Sequence, residues 1–458
     1  MRKIAFIGAG SLVFGETLLT DILTFPTLRD EIVICLEDID PKRLDIMYKY
    51  MQKYREDNLQ VLEDVTIEKT TNQKRAISDA KYIINTVLIG GLDVVKLDLE
   101  IPLKYGVTQC IGDTIGPGGV FRFLRTTTFF DSLLEDIRIY GYNSDDSKGL
   151  KPLLLNYTNP MAMNTWYCNT LSPDSTIGLC HGVFGTAAIL EAAVHFMEVN
   201  PQGFDYLCAG INHLAWFLKI QYKDSNAEWH DAYPLIRKAS KSQYFLTDVE
   251  KLRVDIMNAT GYFMTETSGH LSEYLPYYRK RPSILEKYRG DGFYAELDHA
   301  LDYNEQKIAQ QNLEEEFKEK LNQDNLPLKE VPSWEYAPLI INAMESTTSV
   351  RINGNVLNKG YIMNLPPNCC VEVPIFFDSM GGHPQGGIEL PTVCQALCMS
   401  NIMVQKAAVE GALSLDREKI YQAVLLDPNT ASICSPIEIR EMVEELFETQ
   451  KKWLPQFE

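Results

Sequence analysis

An apolar run at the start of the chain, Ile4-Ala5-Phe6-Ile7, stops at Gly8-Ala9-Gly10-Ser11. Leu12, Gly15, Leu19, Ile22 and Leu23 then follow at helical spacing. Strand, glycine turn and helix in that order make the opening unit of a nucleotide-binding α/β fold. The signature recurs: Ile32-Val33-Ile34-Cys35-Leu36 closes in Glu37-Asp38-Ile39-Asp40, and Pro41 opens a helix behind an acidic cap. Short apolar runs at 65–68, 82–88, 153–157 and 177–180 alternate with further helical stretches. Strands apolar along their whole length must be covered on both faces, so the pattern predicts α/β architecture with a doubly wound parallel sheet.

Near residue 200 the pattern changes. Runs at 205–208 and 214–222 read as strands of a different sheet, followed by a polar, helix-rich region over 240–330. A strand pair at 350–352 and 370–377 comes next, then a long helical pair over roughly 390–450. The chain divides on this reading into a Rossmann-like domain, 1–200, and a mixed α+β domain, 201–458. The second domain is assigned the substrate, metal and oligomer contacts. At 458 residues the chain is long enough for two packed cores.

A net charge of −19 argues against nucleic acid as a partner, because a phosphate backbone is bound by clustered Lys and Arg. No stretch approaches the ~18 apolar residues of a membrane span, and the opening run is too short for a signal-peptide core, so a cytoplasmic location is expected. Ten cysteines without a CxxC pair read mostly as small core residues of a reduced protein.

In the first turn, Gly8, Gly10 and Ser11 form a pyrophosphate cradle at a helix N-terminus. The third glycine of the usual fingerprint is replaced by Val13, with Gly15 two residues later. Asp38, at the end of the second strand, is placed to accept both ribose hydroxyls of NAD and to repel the extra phosphate of NADP. NAD is therefore the predicted cofactor.

Polar residues cluster in three further segments, 156–164, 178–185 and 209–214, the first two at predicted strand ends. Carboxyl ends of parallel strands line the ligand crevice in such a sheet. Cys180, His181 and His213 supply one thiol and two imidazoles, each flanked by glycine or close to one. Any one of them alone is as readily a core residue. Together they are a candidate site for a divalent ion such as Mn²⁺, with sugar hydroxyls and water completing the shell.

These residues resemble glycoside hydrolase family 4, the NAD- and metal-dependent glycosidases, over essentially the whole chain. The resemblance is carried by Gly8-Ala9-Gly10-Ser11, Asp38-Ile39-Asp40-Pro41, Asp113-Thr114-Ile115-Gly116-Pro117-Gly118-Gly119, the stretch from Asn156 to Trp166, Cys180-His181, and Ala209-Gly210-Ile211-Asn212-His213. It extends through Asn364-Leu365-Pro366-Pro367-Asn368-Cys369-Cys370-Val371-Glu372-Val373, and looks closest to the bacterial α-galactosidases of the family. It implies oxidation of the sugar at C3, elimination across C1–C2, addition of water and re-reduction, outside the two-carboxylate scheme of most glycosidases.

Carried over by position, Cys180 and His213 match the metal ligands and His181 the acid that protonates the leaving oxygen. Asn159 matches a residue contacting the sugar hydroxyls and nicotinamide, and Asp113 an acidic position facing substrate. The C2 base falls in Thr265-Glu266-Thr267-Ser268-Gly269-His270-Leu271-Ser272-Glu273-Tyr274, where Tyr274 is preferred to His270; their spacing of four puts both on one helix face. Arg279, Lys280 and Arg281 read as a solvated face or as cofactor contacts.

Cys180-His181-Gly182-Val183 looks like the non-phosphorylated α-glycosidases of the family, although galactosidase relatives commonly carry Ser where Gly182 stands. The implied substrate order is α-galactoside, α-glucoside, then uronide. Competing readings are a dehydrogenase of the lactate/malate type, whose architecture begins similarly, and a catalytically idle NAD-binding regulator. Apolar helices near 390–412 are the expected self-complementary surface of a homodimer or homotetramer.

Overall fold

A computed structural model describes residues 2–141, 152–197, 200–242, 250–288 and 303–458, the side chains of Val13 and of residues 303–305 excepted. Part of the polar region expected over 240–330 (243–249 and 289–302) therefore lies outside the described residues, as does the Val13 side chain.

Six strands form the first half: β1 (Arg2–Ile7), β2 (Ile32–Glu37), β3 (Val65–Thr70), β4 (Tyr82–Asn85), β5 (Leu153–Asn156) and β6 (Thr176–Leu179). All their pairings are parallel, in the order β3-β2-β1-β4-β5-β6. That is the dinucleotide-binding order with its reversal between β1 and β4. β2 is buried along its whole length and β1 from Ile4 onward, as continuous apolar runs require.

The remaining strands are β7 (Gly203–Ile211), β8 (Leu214–Lys223), β9 (Trp229–Asp231), β10 (Phe263–Met264), β11 (Val350–Leu357), β12 (Cys370–Asp378) and β13 (Gly381–Pro384). They do not make the separate sheet expected from residues 205–222. β11 runs antiparallel to β6 through Gly354↔Leu179 and Asn355↔Gly178, β12 pairs with β11, and Glu372↔Gly210 joins β12 to β7. One 13-stranded sheet results. The reason lies in strand insertion: β11 and β12, distant in sequence, fill the gap between β6 and β7, which local periodicity cannot reveal.

The expected C-terminal helical pair is also different. Helices Thr392–Ser414, Arg417–Leu426 and Pro436–Gln450 are separated at Leu415, which has φ 53°, and by the short helix Pro428–Ala431. The last long helix folds back onto the first half. There Gln450 Nε2 donates to Asp98 Oδ1 at 2.8 Å, while Arg125 and Asp98 form a buried ion pair at 2.6 Å. Among the described residues no helix is long and apolar enough to cross a membrane.

Candidate active site

β1 ends in a turn that only glycine accommodates. Gly8 has φ +86°, and a Cβ there would stand 3.1 Å from the backbone of Thr86 and Val87. The Gly10 N–H donates to Asp38 Oδ2 at 2.7 Å, and a Cβ on Gly10 would approach that oxygen to 2.6 Å. Asp38 Oδ1 accepts from the Asp40 N–H at 2.8 Å, and Asp40 in turn caps helix Pro41–Asp57. Ser11 precedes helix Leu12–Ile22 without a side-chain cap, leaving the first-turn amides open to an anion. Ile39, beside Asp38, is 90% exposed. The residues of this loop fit a dinucleotide.

Across the sheet, helix Gly116–Tyr140 begins directly after Asp113 and Thr114. Asn159 Nδ2 donates to Asp113 Oδ2 at 2.6 Å, and Asn159 Oδ1 is buried without a partner. Thr114 Oγ1 lies 2.8 Å from Asp113 Oδ1, 2.7 Å from His213 Nδ1 and 3.1 Å from the Tyr274 hydroxyl. A hydroxyl has one proton. Donated to the carboxylate, it requires His213 Nδ1–H and Tyr274 O–H to donate to Thr114, which leaves His213 Nε2 with the free lone pair. Burial works to raise the Asp113 carboxyl, but Arg122, His270 and His213 outweigh it and hold the group below its usual range. The Nε of Arg122 is buried without a hydrogen-bond partner.

Helix Ser268–Tyr274 carries His270 and Tyr274 on one face, as their spacing predicts, with rings 6.2 Å apart. Both approach the His213 ring, at 5.4 and 6.4 Å. Burial, reinforced by Asp113 and Glu273, pushes the Tyr274 hydroxyl well up. Arg279 is buried and donates to Ser272 at 2.9 Å, so it is not part of a solvated face; Lys280 and Arg281 are exposed.

Cys180 and His213, 33 positions apart, come together with a residue that sequence reasoning missed. Donor atoms of Cys180, His213 and Glu266 all lie within 4.8 Å of one another, as do those of Asp113, His213 and His270. Glu266 has φ +70° and its Oε1 accepts from the Cys180 thiol at 3.4 Å. Gly182 makes the space: a Cβ there would sit 1.7 Å from Glu266 Oε1. The available signal was a lone carboxylate just after the apolar pair of β10.

Burial, then Glu266, pushes the Cys180 thiol well up. Burial also works to raise Glu266, yet His213, His270 and His181 outweigh it and hold the carboxyl below its usual range. A neutral thiol facing a buried carboxylate and an imidazole lone pair is a donor set that a divalent cation fits, since a cation deprotonates a coordinating thiol. Of the ten cysteines, nine are buried and Cys180 alone is partly open.

His181 stands at the rim, its side chain 58% exposed, with Nδ1 3.3 Å from Glu335 Oε1. That hydrogen bond raises its pKa against the opposing effect of burial. Glu335 was not legible in the sequence, lying far from His181 in a loop with no pattern. Farther in, Glu372 is buried and pushed up to about 8 by burial and by Glu266; Asn355 donates to it at 3.3 Å.

Sequence models of family 4 glycosyl hydrolases match residues 3–196, and the model of their C-terminal domain matches residues 208–430. The chain belongs to glycosyl hydrolase family 4. This hydrolase is 37% identical to an α-galactosidase of Rhizobium meliloti (strain 1021), over 99% of the chain and 89% of that relative. It is 35% identical to an α-galactosidase of Bacillus subtilis (strain 168) over the full length of both. Its fold is similar to that of a 6-phospho-β-glucosidase from Thermotoga maritima solved with manganese, NAD⁺ and glucose-6-phosphate. That likeness has a TM-score of 0.76 and 20% identity, and covers 99% of each chain.

Proposed function

We propose that this family 4 hydrolase cleaves non-phosphorylated α-galactosides in the cytoplasm, through oxidation at C3, elimination, water addition and re-reduction. The observation that carries the reading is the convergence of Cys180, His213 and Glu266 beside Asn159 and Asp113, at the carboxyl ends of strands whose first turn is the Gly8–Gly10 loop. The two curated α-galactosidases similar over nearly the whole chain support the sugar.

When bound, NAD would supply a reversible hydride acceptor, and a divalent ion such as Mn²⁺ would supply Lewis acidity and positive charge. Gly8, Gly10, Ser11 and Asp38 hold the dinucleotide. Cys180, His213 and Glu266 would hold the metal, with Thr114 bonded to His213 Nδ1 so that the Nε2 lone pair stays free. Asn159 and Asp113 bind sugar hydroxyls. His181, whose pKa the Glu335 hydrogen bond raises, hands its proton to the leaving oxygen. Tyr274 takes the C2 proton and His270, one turn away, shares its face of the pocket. Residues 1–200 form the dinucleotide unit and 201–458 the substrate unit, a division supported by the two family matches. Val393, Met403 and Leu413, exposed on helix Thr392–Ser414, support the assignment of this helix to a homodimer or homotetramer contact.

A panel of nitrophenyl α-glycosides tests the reading. With NAD⁺, Mn²⁺ and reductant the α-galactoside is hydrolysed fastest, without net NADH; steady NADH production would instead identify a dehydrogenase.

A further inference from the structure

Beside His181 stands an aromatic pair, half-buried Phe184 and exposed Trp334, to which the residue roles above give no task. Phe184 lies in the first turn of helix Gly182–Phe196, just past His181, and its ring centroid is 5.4 Å from that of Trp334. Trp334 immediately precedes Glu335, the carboxylate bound to His181. Imidazole and indole therefore share one rim of the pocket. Trp334 is 58% exposed and nearby Val331 72%. Leaving such apolar area in water forfeits about 25 cal/mol per Å², and aromatic surface at the mouth of a polar pocket is characteristic of ligand sites.

We propose that Phe184 and Trp334 form the aglycone subsite, and that the aglycone they receive is a neutral sugar. The inference rests on His181 as the proton donor. The leaving oxygen lies at His181 and carries the aglycone outward, so the group beyond that oxygen falls on the side of the rim where the indole stands. A pyranose offers a flat face of C–H groups to an aromatic ring and keeps its hydroxyls at the edge, in water. The His181 ring at this rim is already paired with Glu335 at 3.3 Å, so it offers no free positive charge to a phosphorylated or carboxylated aglycone.

Two substrates of the same sugar separate this subsite from the catalytic machinery: methyl α-galactoside and an α-galactosyl-glucose disaccharide. In Trp334→Ala, kcat/KM for the disaccharide falls about tenfold, chiefly through KM, while the value for the methyl glycoside stays within about twofold of the parent. Trp334→Tyr retains most of the disaccharide activity. Equal losses on both substrates, or no loss on either, would overturn the subsite, as would a changed oligomeric mass with both rates intact. Failure of the parent enzyme to cleave either galactoside would instead remove the proposed function.

Discussion

The parallel and antiparallel halves of the sheet place their chemistry by different means. In the parallel half, the Gly8–Ser11 loop, Asn159, Cys180 and His181 all follow directly from the carboxyl ends of strands. In the antiparallel half, His213 sits in the tight turn between β7 and β8, and Glu266, His270 and Tyr274 follow β10. The first set is fixed by local chain geometry. The second reaches the pocket only because β11 and β12 span the gap from β6 to β7. Cofactor and metal functions should therefore be separable by mutation, although their residues meet in one pocket.

The sharpest break is Cys180→Ser. Hydrolysis should fall on the order of 10³-fold, while NAD⁺ affinity, measured by calorimetry, stays unchanged; a parallel loss of NAD⁺ binding would erase the distinction. Gly182→Ala tests how the halves are joined. Its Cβ would displace Glu266, and Mn²⁺ affinity, followed by electron paramagnetic resonance of the free ion, should drop about 10–100-fold. An unchanged affinity would remove Glu266 from the metal. Gly10→Ala is the converse case: by crowding Asp38 it should weaken NAD⁺ about tenfold and leave Mn²⁺ binding untouched.

The smallest effect is a displacement in pH. Glu335 raises the His181 pKa, so the acid stays protonated to higher pH and activity is lost as pH rises through that raised value. Glu335→Gln should move the alkaline limb of the kcat/KM profile to lower pH, with the low-pH plateau little changed. An unmoved limb would show that another group is the acid.

The same contrast explains what was legible in the sequence. Gly8, Gly10, Asp38, Cys180 and His181 could be placed because an apolar run followed by a polar break marks a strand end without reference to the rest of the chain. His213 stood out through its neighbours Gly210 and Asn212, and with Cys180 and His181 it already read as a candidate metal site; narrowing that set to Cys180 and His213 needed the resemblance to a family. Glu266, Glu335 and Thr114 were invisible for a common reason. A carboxylate or hydroxyl in a loop is ordinary until burial and distant partners give it a role, and those partners are set by β11, β12 and the helix after Asp113. The continuity of the sheet was missed on the same ground.

Deuterium at C2 of the released sugar, read by NMR after hydrolysis in D₂O with NAD⁺ and Mn²⁺, tests the oxidative route most directly. The oxidative route requires a deuteron at C2, because Tyr274, as the proposed base, would remove that proton and solvent would return one. Galactose released with C2–H intact would contradict it and leave a hydrolase that attacks C1 directly.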